Sequence, residues 1–120
     1  MTDKLNTRQI KFLREQDGPI ERVLKNHIAA ALSAEIEVKE AYLARAQYEQ
    51  DPRENVVLCI DGGEKCAARI VETVNQIFKR IFNKTQSLDI LFLGVDQKPV
   101  LQRVARSFYK ATAGGGQTIN

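Results

Sequence analysis

Apolar residues recur along this chain with two different periods, and the places where the period changes mark its elements. In Gln9-Ile10-Lys11-Phe12-Leu13 the alternation is imperfect, so strand and helix compete there; strand is the favoured reading, and Asp17-Gly18-Pro19 ends it. From Pro19 onward Ile20, Val23, Leu24, Ile28, Ala31 and Leu32 return at steps of three and four, with Glu21, Arg22, Lys25 and Asn26 between them. That spacing predicts an amphipathic helix, with Asp17 or Gly18 placed to cap it. Val38 to Tyr48 alternates with a period of two, Asp51-Pro52-Arg53 makes a turn, and Val56-Val57-Leu58-Cys59-Ile60 is a short apolar run. Together these predict a hairpin.

Gly62-Gly63 stops the second strand, and a stripe through Ala67, Ile70, Val71, Val74, Ile77, Phe78, Ile81 and Phe82 predicts a long helix to Asn83. Leu88 to Leu93 reads as another strand, closed by Gly94. A last helix is expected with Asp96 as its cap and Pro99 in its first turn, carrying Val100, Leu101, Val104, Ala105 and Phe108 on its apolar side. Gly114-Gly115-Gly116 predicts a disordered tail over 113–120, after a single domain spanning 1–112.

The order strand, helix, strand, strand, helix, strand predicts an α+β fold of the ferredoxin-like βαββαβ type, with the two helices on one face of the sheet and a short C-terminal helix added. The strands at 56–60 and 88–93 are apolar at both parities, so both of their faces must be covered. Two helices cover one face. The other requires the last helix, a partner subunit or both, and self-association through that face is expected. A monomer in light scattering at micromolar concentration would count against it.

Composition narrows the class without naming a reaction. A chain of 120 residues with 43% hydrophobic and 28% charged residues has the makings of one ordinary core, and no run of apolar residues is long enough to span a membrane. Met1-Thr2-Asp3-Lys4 leads into no continuous apolar stretch, so no secretory leader is expected. Cys59 and Cys66 have no CxxC spacing, which argues against a zinc site and for reduced thiols in a cytoplasmic protein. The net charge of +3 divides unevenly: +2 over residues 1–34, −5 over 35–64 and +6 over 65–120. Arg103, Arg106 and Lys110, with Phe108 and Tyr109 beside them, and Lys79, Arg80 and Lys84 supply the basic part. Cations near a helix C-terminus also meet its dipole, and the +6 and −5 segments can meet each other.

Candidate chemistry is sparse. His27 lies on the apolar stripe of the first helix with no carboxylate, hydroxyl or thiol at helical neighbour positions, and reads as a packed or boundary residue. Cys59 sits within an apolar strand and reads as core. Cys66 follows Gly62-Gly63 in the first turn of a helix, where the dipole lowers a thiol pKa, but Asp61 and Glu64 oppose it. Asp61-Gly62-Gly63-Glu64-Lys65 stands where phosphate loops stand, yet lacks the Walker closure and the third glycine of a dinucleotide fingerprint; a tight turn explains it. The RNP1 string of RNA-recognition modules is absent, and Tyr42 and Tyr48 share the parity of Val56, Leu58 and Ile60 only if the hairpin keeps register.

The segment Glu15-Gln16-Asp17-Gly18-Pro19-Ile20-Glu21-Arg22, the strand Ala41-Tyr42-Leu43-Ala44 and the terminal Phe108-Tyr109-Lys110 resemble the C-terminal domain of the SseB (enhanced serine sensitivity) family, over about residues 8 to 110. Ser107 stands where a proline is expected before the Phe-Tyr pair. The resemblance implies a bacterial, cytoplasmic α+β module with no catalytic residues to transfer and no cofactor. The function expected is therefore a non-enzymatic protein-interaction module, homo-oligomeric, contacting protein through Tyr42, Arg103, Arg106, Phe108, Tyr109 and Lys110. A small-ligand binder or enzyme with a site at a subunit interface is the alternative. Nucleic-acid binding through the basic residues 79–110 is the weaker one, and steep loss of affinity with salt would identify it.

Overall fold

One long strand decides the layout. In the computed structural model, which describes residues 10–49, 51–82 and 88–111, strand β2 (Val38–Tyr48) is paired along both edges. Strand β3 (Glu54–Gly62) runs antiparallel along one edge as the second arm of the expected hairpin, with Leu43 opposite Leu58 and Tyr42 opposite Cys59. The other edge carries two strands end to end. Strand β1 (Ile10–Glu15) covers the far end of β2, and a two-residue strand, β5 (Tyr109–Lys110), covers its start, opposite Ala41 and Glu40. Strand β4 (Asp89–Phe92) completes the sheet in parallel with β3, giving the order β1-β2-β3-β4 with β5 beside β2.

The α+β class and the succession of elements agree with the sequence pattern, but the sheet order is not that of a split βαβ fold. There a further strand separates the two that a helix joins. Here helix α1 (Pro19–Leu32) joins β1 to its neighbour β2, and helix α2 (Ala67–Ile81) joins β3 to its neighbour β4. The succession of elements leaves lateral order open. Eleven residues of β2 offer an edge long enough for β1 and β5 together, which fills that side.

Helices α1 and α2 pack on one face, over Ala41, Leu43, Leu58 and Ile60. On the opposite face the short helix α3 (Gln97–Gln102) and the residues after it seat Leu101 and Ala105 against Tyr42, Ala44, Val57 and Cys59. The doubly apolar strands are thus covered on both sides within one chain. The burial that motivated a second copy is met by α3. Among the described residues no helix is long and apolar enough to cross a membrane.

Four local expectations are corrected. Lys25 is not on the polar side of α1: it is 8% exposed, while Ile20 and Val23 are 46% and 43% exposed. The helix is turned because the Lys25 ammonium is held by Glu15 and Asp17 at the end of β1, which draws its aliphatic stem across the core. His27, on the same outward side, is exposed rather than packed. The last helix does not reach Phe108. It ends at Gln102, because Phe108 N–H donates to Ala41 O (2.9 Å) and Ala111 N–H to Lys39 O (2.8 Å), and edge pairing with β2 requires extended backbone. Asp96 precedes α3 without a side-chain cap; Gln97 Oε1 instead accepts the Gly94 N–H at 2.8 Å. Residues 113–120, Gln9, Asn83 and Lys84 lie outside the described residues.

Between β3 and α2, Gly62 and Gly63 both take φ of +89° and lead into a 3-10 turn, Glu64–Cys66. Backbone conformation accounts for this glycine pair, as the tight-turn reading expects.

Candidate functional site

The residues singled out from sequence do not form one surface. Tyr42 is buried at 1% exposure on the α3 side, at the parity of Val57 and Cys59 rather than of Leu58 and Ile60. Its hydroxyl donates to Glu40 Oε1 (2.5 Å) and accepts from Gln102 Nε2 (3.0 Å), and burial followed by the Glu40 carboxylate raises its pKa. Glu40 and Asp61 also hold Lys98, at 3.4 and 2.8 Å, and Lys110 lies 3.8 Å from Glu40. This network fastens α3 to the sheet. Phe108 and Tyr109 are half-buried on the opposite face, packed against the α1–α2 core. Arg103, Arg106 and Lys110 are exposed, and only Lys110 joins Tyr42, through Glu40.

Cys59 is buried, which pushes its thiol up to about 12, as suits a core residue. Cys66 is half-exposed where the 3-10 turn enters α2. Tyr48, on the parity of Tyr42, donates to Asp89 Oδ2 at 2.7 Å across β3.

A different set of residues is assembled on the α1–α2 face. Where β1 turns into α1, Lys25 Nζ meets Glu15 at 3.1 Å and Asp17 at 3.2 Å, Arg22 meets Asp17 at 3.2 Å, and the Arg106 N–H reaches Glu15 Oε1 at 3.3 Å. Between Glu15 and Asp17 the Gln16 N–H donates to Leu43 O at 3.0 Å. The backbone of Gln16 is therefore fixed from both sides, and its side chain enters a cleft of about 380 Å³. Glu21, Arg45 and Glu54 supply further polar groups, and Leu24, Val56, Phe78 and Phe82 the apolar wall. The two phenyl rings stack at 4.7 Å between centroids, 23° from parallel. Arg45 Nε donates to Gln16 Oε1 at 3.0 Å, and Gln16 Nε2 donates to Glu21 Oε2 at 2.7 Å. Glu54 is held by Arg14 at 3.0 Å and lies 3.7 Å from Arg45 Nε.

Sequence reasoning passed over this cleft, although one signal was present. Ala41, Leu43 and Arg45 share a face of β2, so Arg45 is a charge at a core parity. Phe78 and Phe82, read as the end of the core stripe, belong to that core and also form the cleft wall.

The corner that fixes Gln16 is expected to weaken in acid. Hydrogen bonds from Arg22 first, then Lys25, hold the Asp17 carboxyl at about 2, below its ordinary 3.8. A depressed carboxylate contributes stability that is complete above the unfolded pKa and lost as pH falls through the folded one. Asp17→Asn is expected to flatten the fall in stability between about pH 4 and pH 2, read from urea midpoints at each pH. An unchanged slope would assign the acid sensitivity to other carboxylates.

Together these elements define a two-layer core on one face of a mixed sheet, a short helix on the other, and one cleft combining stacked aromatic rings with ionised groups. Comparison of the chain with family models, with curated protein sequences and with solved structures returns no significant match.

Proposed function

We propose that this protein is a non-enzymatic binding module whose ligand occupies the cleft between α1, the end of α2 and the β2–β3 hairpin. The observation that carries the reading is the cleft's composition: its described lining is half apolar and half polar, and Gln16, Glu21 and Arg45 are held in fixed contacts beside the apolar wall, a make-up suited to an amphipathic ligand. Among the described residues its lining carries two carboxylates, Glu21 and Glu54, each engaged by another side chain, and these fixed contacts support a binding role. The described residues that line the cleft all come from one chain. Kinship with the SseB C-terminal domain is part of the proposal. The three resembling segments lie together at β2, where the Gln16 N–H donates to Leu43 O and the Phe108 N–H to Ala41 O, and only a relationship in sequence would establish the kinship.

A thermal-shift screen of small metabolites tests this reading, since a ligand of the native state raises the melting temperature. Compounds bearing an apolar group are expected to raise Tm in the wild type and to lose that effect in Phe82→Ala. A screen without hits, or hits that persist in Phe82→Ala, would place the function elsewhere.

A further inference from the structure

The polar end of the cleft has a particular charge pattern. One carboxamide, that of Gln16, accepts from Arg45 and donates to Glu21, so a cation and an anion stand one amide group apart. Each keeps unused capacity. Arg45 is tied to Gln16 and Glu54 through Nε, and neither of its terminal nitrogens makes a hydrogen bond among the described residues. Glu21 accepts from Gln16 through Oε2, and its Oε1 likewise accepts none there. Glu54, the other acid in the lining, is matched by Arg14.

We infer that the cleft binds a free α-amino acid with a large apolar side chain, its carboxylate on Arg45, its ammonium on Glu21 and its side chain against Phe78 and Phe82. This assignment rests on the proposed reading of the cleft as a ligand site and specifies its ligand. Charge complementarity selects the class. A simple acid would bring its carboxylate beside Glu21 and Glu54, and a simple amine would bring its ammonium beside Arg45; like charges so placed oppose binding. A zwitterion satisfies both groups, and in an α-amino acid the two charges leave a single carbon, matching a cation and an anion bridged by one carboxamide. The guanidinium fork suits a carboxylate, and it is already oriented by Gln16. Size agrees as well. About 380 Å³ lies within the range of ligand pockets and is enough for a phenylalanine-sized molecule.

The test is an amide-resolved NMR titration of the full chain with L-phenylalanine, 3-phenylpropionate, 2-phenylethylamine and L-alanine. L-Phenylalanine is expected to give saturable shifts at Gln16, Glu21, Arg45 and Val56, with affinity at least tenfold above each of the other three. Arg45→Met should lower L-phenylalanine affinity at least tenfold without weakening 2-phenylethylamine. Glu21→Gln should weaken L-phenylalanine and leave 3-phenylpropionate unchanged or tighter. The dispersed amide spectrum of each variant reports that it has folded, and Glu21→Gln decides the matter should Arg45→Met fail to fold. Equal affinity for the acid or the amine would overturn the zwitterion assignment while leaving the cleft a ligand site. Absence of saturable shifts with all four compounds would overturn the cleft reading itself.

Discussion

Gly62→Ala is expected to lower stability by about 3 kcal/mol, at the upper end of the cost of a strained backbone conformation. Gly62 has φ of +89°, and a Cβ there would lie 2.2 Å from the carbonyl oxygen of Glu37. That atom belongs to the backbone entering β2, so the clash cannot be relieved by turning a side chain. Either the turn after β3 opens or the start of β2 moves, and both disturb the Val38 to Gly62 pairing. Gly94→Ala serves as the comparison. Its Cβ would meet only Gln97 Oε1, at 3.5 Å, and the change should stay within about 0.5 kcal/mol. Urea midpoints measure both, with an unchanged m-value confirming that only stability moved. Equal midpoints for Gly62→Ala and wild type would refute the turn geometry.

Leu101→Ala should cost about 2–5 kcal/mol, the range for a buried leucine whose cavity cannot fully collapse. Leu101 is fully buried although it belongs to a helix of only six residues, and it is the chief apolar group that α3 places over Tyr42, Val57 and Cys59. Val100, its neighbour on the same helix, is 47% exposed, and Val100→Ala should stay within about 0.5 kcal/mol. A second readout locates the effect. Cys59 is shielded from thiol reagents in the native wild type, and Leu101→Ala should speed its labelling under native conditions. Unchanged stability together with unchanged Cys59 labelling would mean that α3 does not cover this face.

Much of the fold was legible because the spacing of apolar residues differs between strand and helix, although burial itself does not alternate along β2, where Ala41 to Ala44 are all buried. The alternation of Val38 to Tyr48 and the stripe from Ala67 to Ile81 coincide with β2 and α2. Single contacts between distant segments defeat the same reasoning. Lys25 is buried because two carboxylates of another element await its ammonium, which helical spacing does not record. Phe108 and Tyr109 look helical beside Val104 and Ala105, but the unpaired carbonyl of Ala41 claims that stretch of backbone as strand. Tyr42 gave up its place as a partner residue to the core for a related reason, since the hairpin register set it opposite Cys59. Of the cleft, the sequence displays only Arg45 at a core parity. Its neighbours Gln16, Glu21, Glu54 and Phe82 come from separate elements, and no local pattern joins them.

The end-to-end placement of β1 and β5 on β2 bears on the order in which the molecule can be completed. Lys39 and Ala41 present their carbonyls on an edge that the hairpin partner β3 does not reach, and the groups that satisfy them arrive with Phe108 and Ala111. During synthesis, therefore, β1, β2 and β3 can assemble while a stretch of open strand edge remains beside them, the kind of surface on which chains pair wrongly. Closure waits for Phe108 to Ala111. The Arg106 N–H that steadies Glu15 arrives with the same segment, so the corner that holds Gln16 in the cleft is finished only when the sheet is.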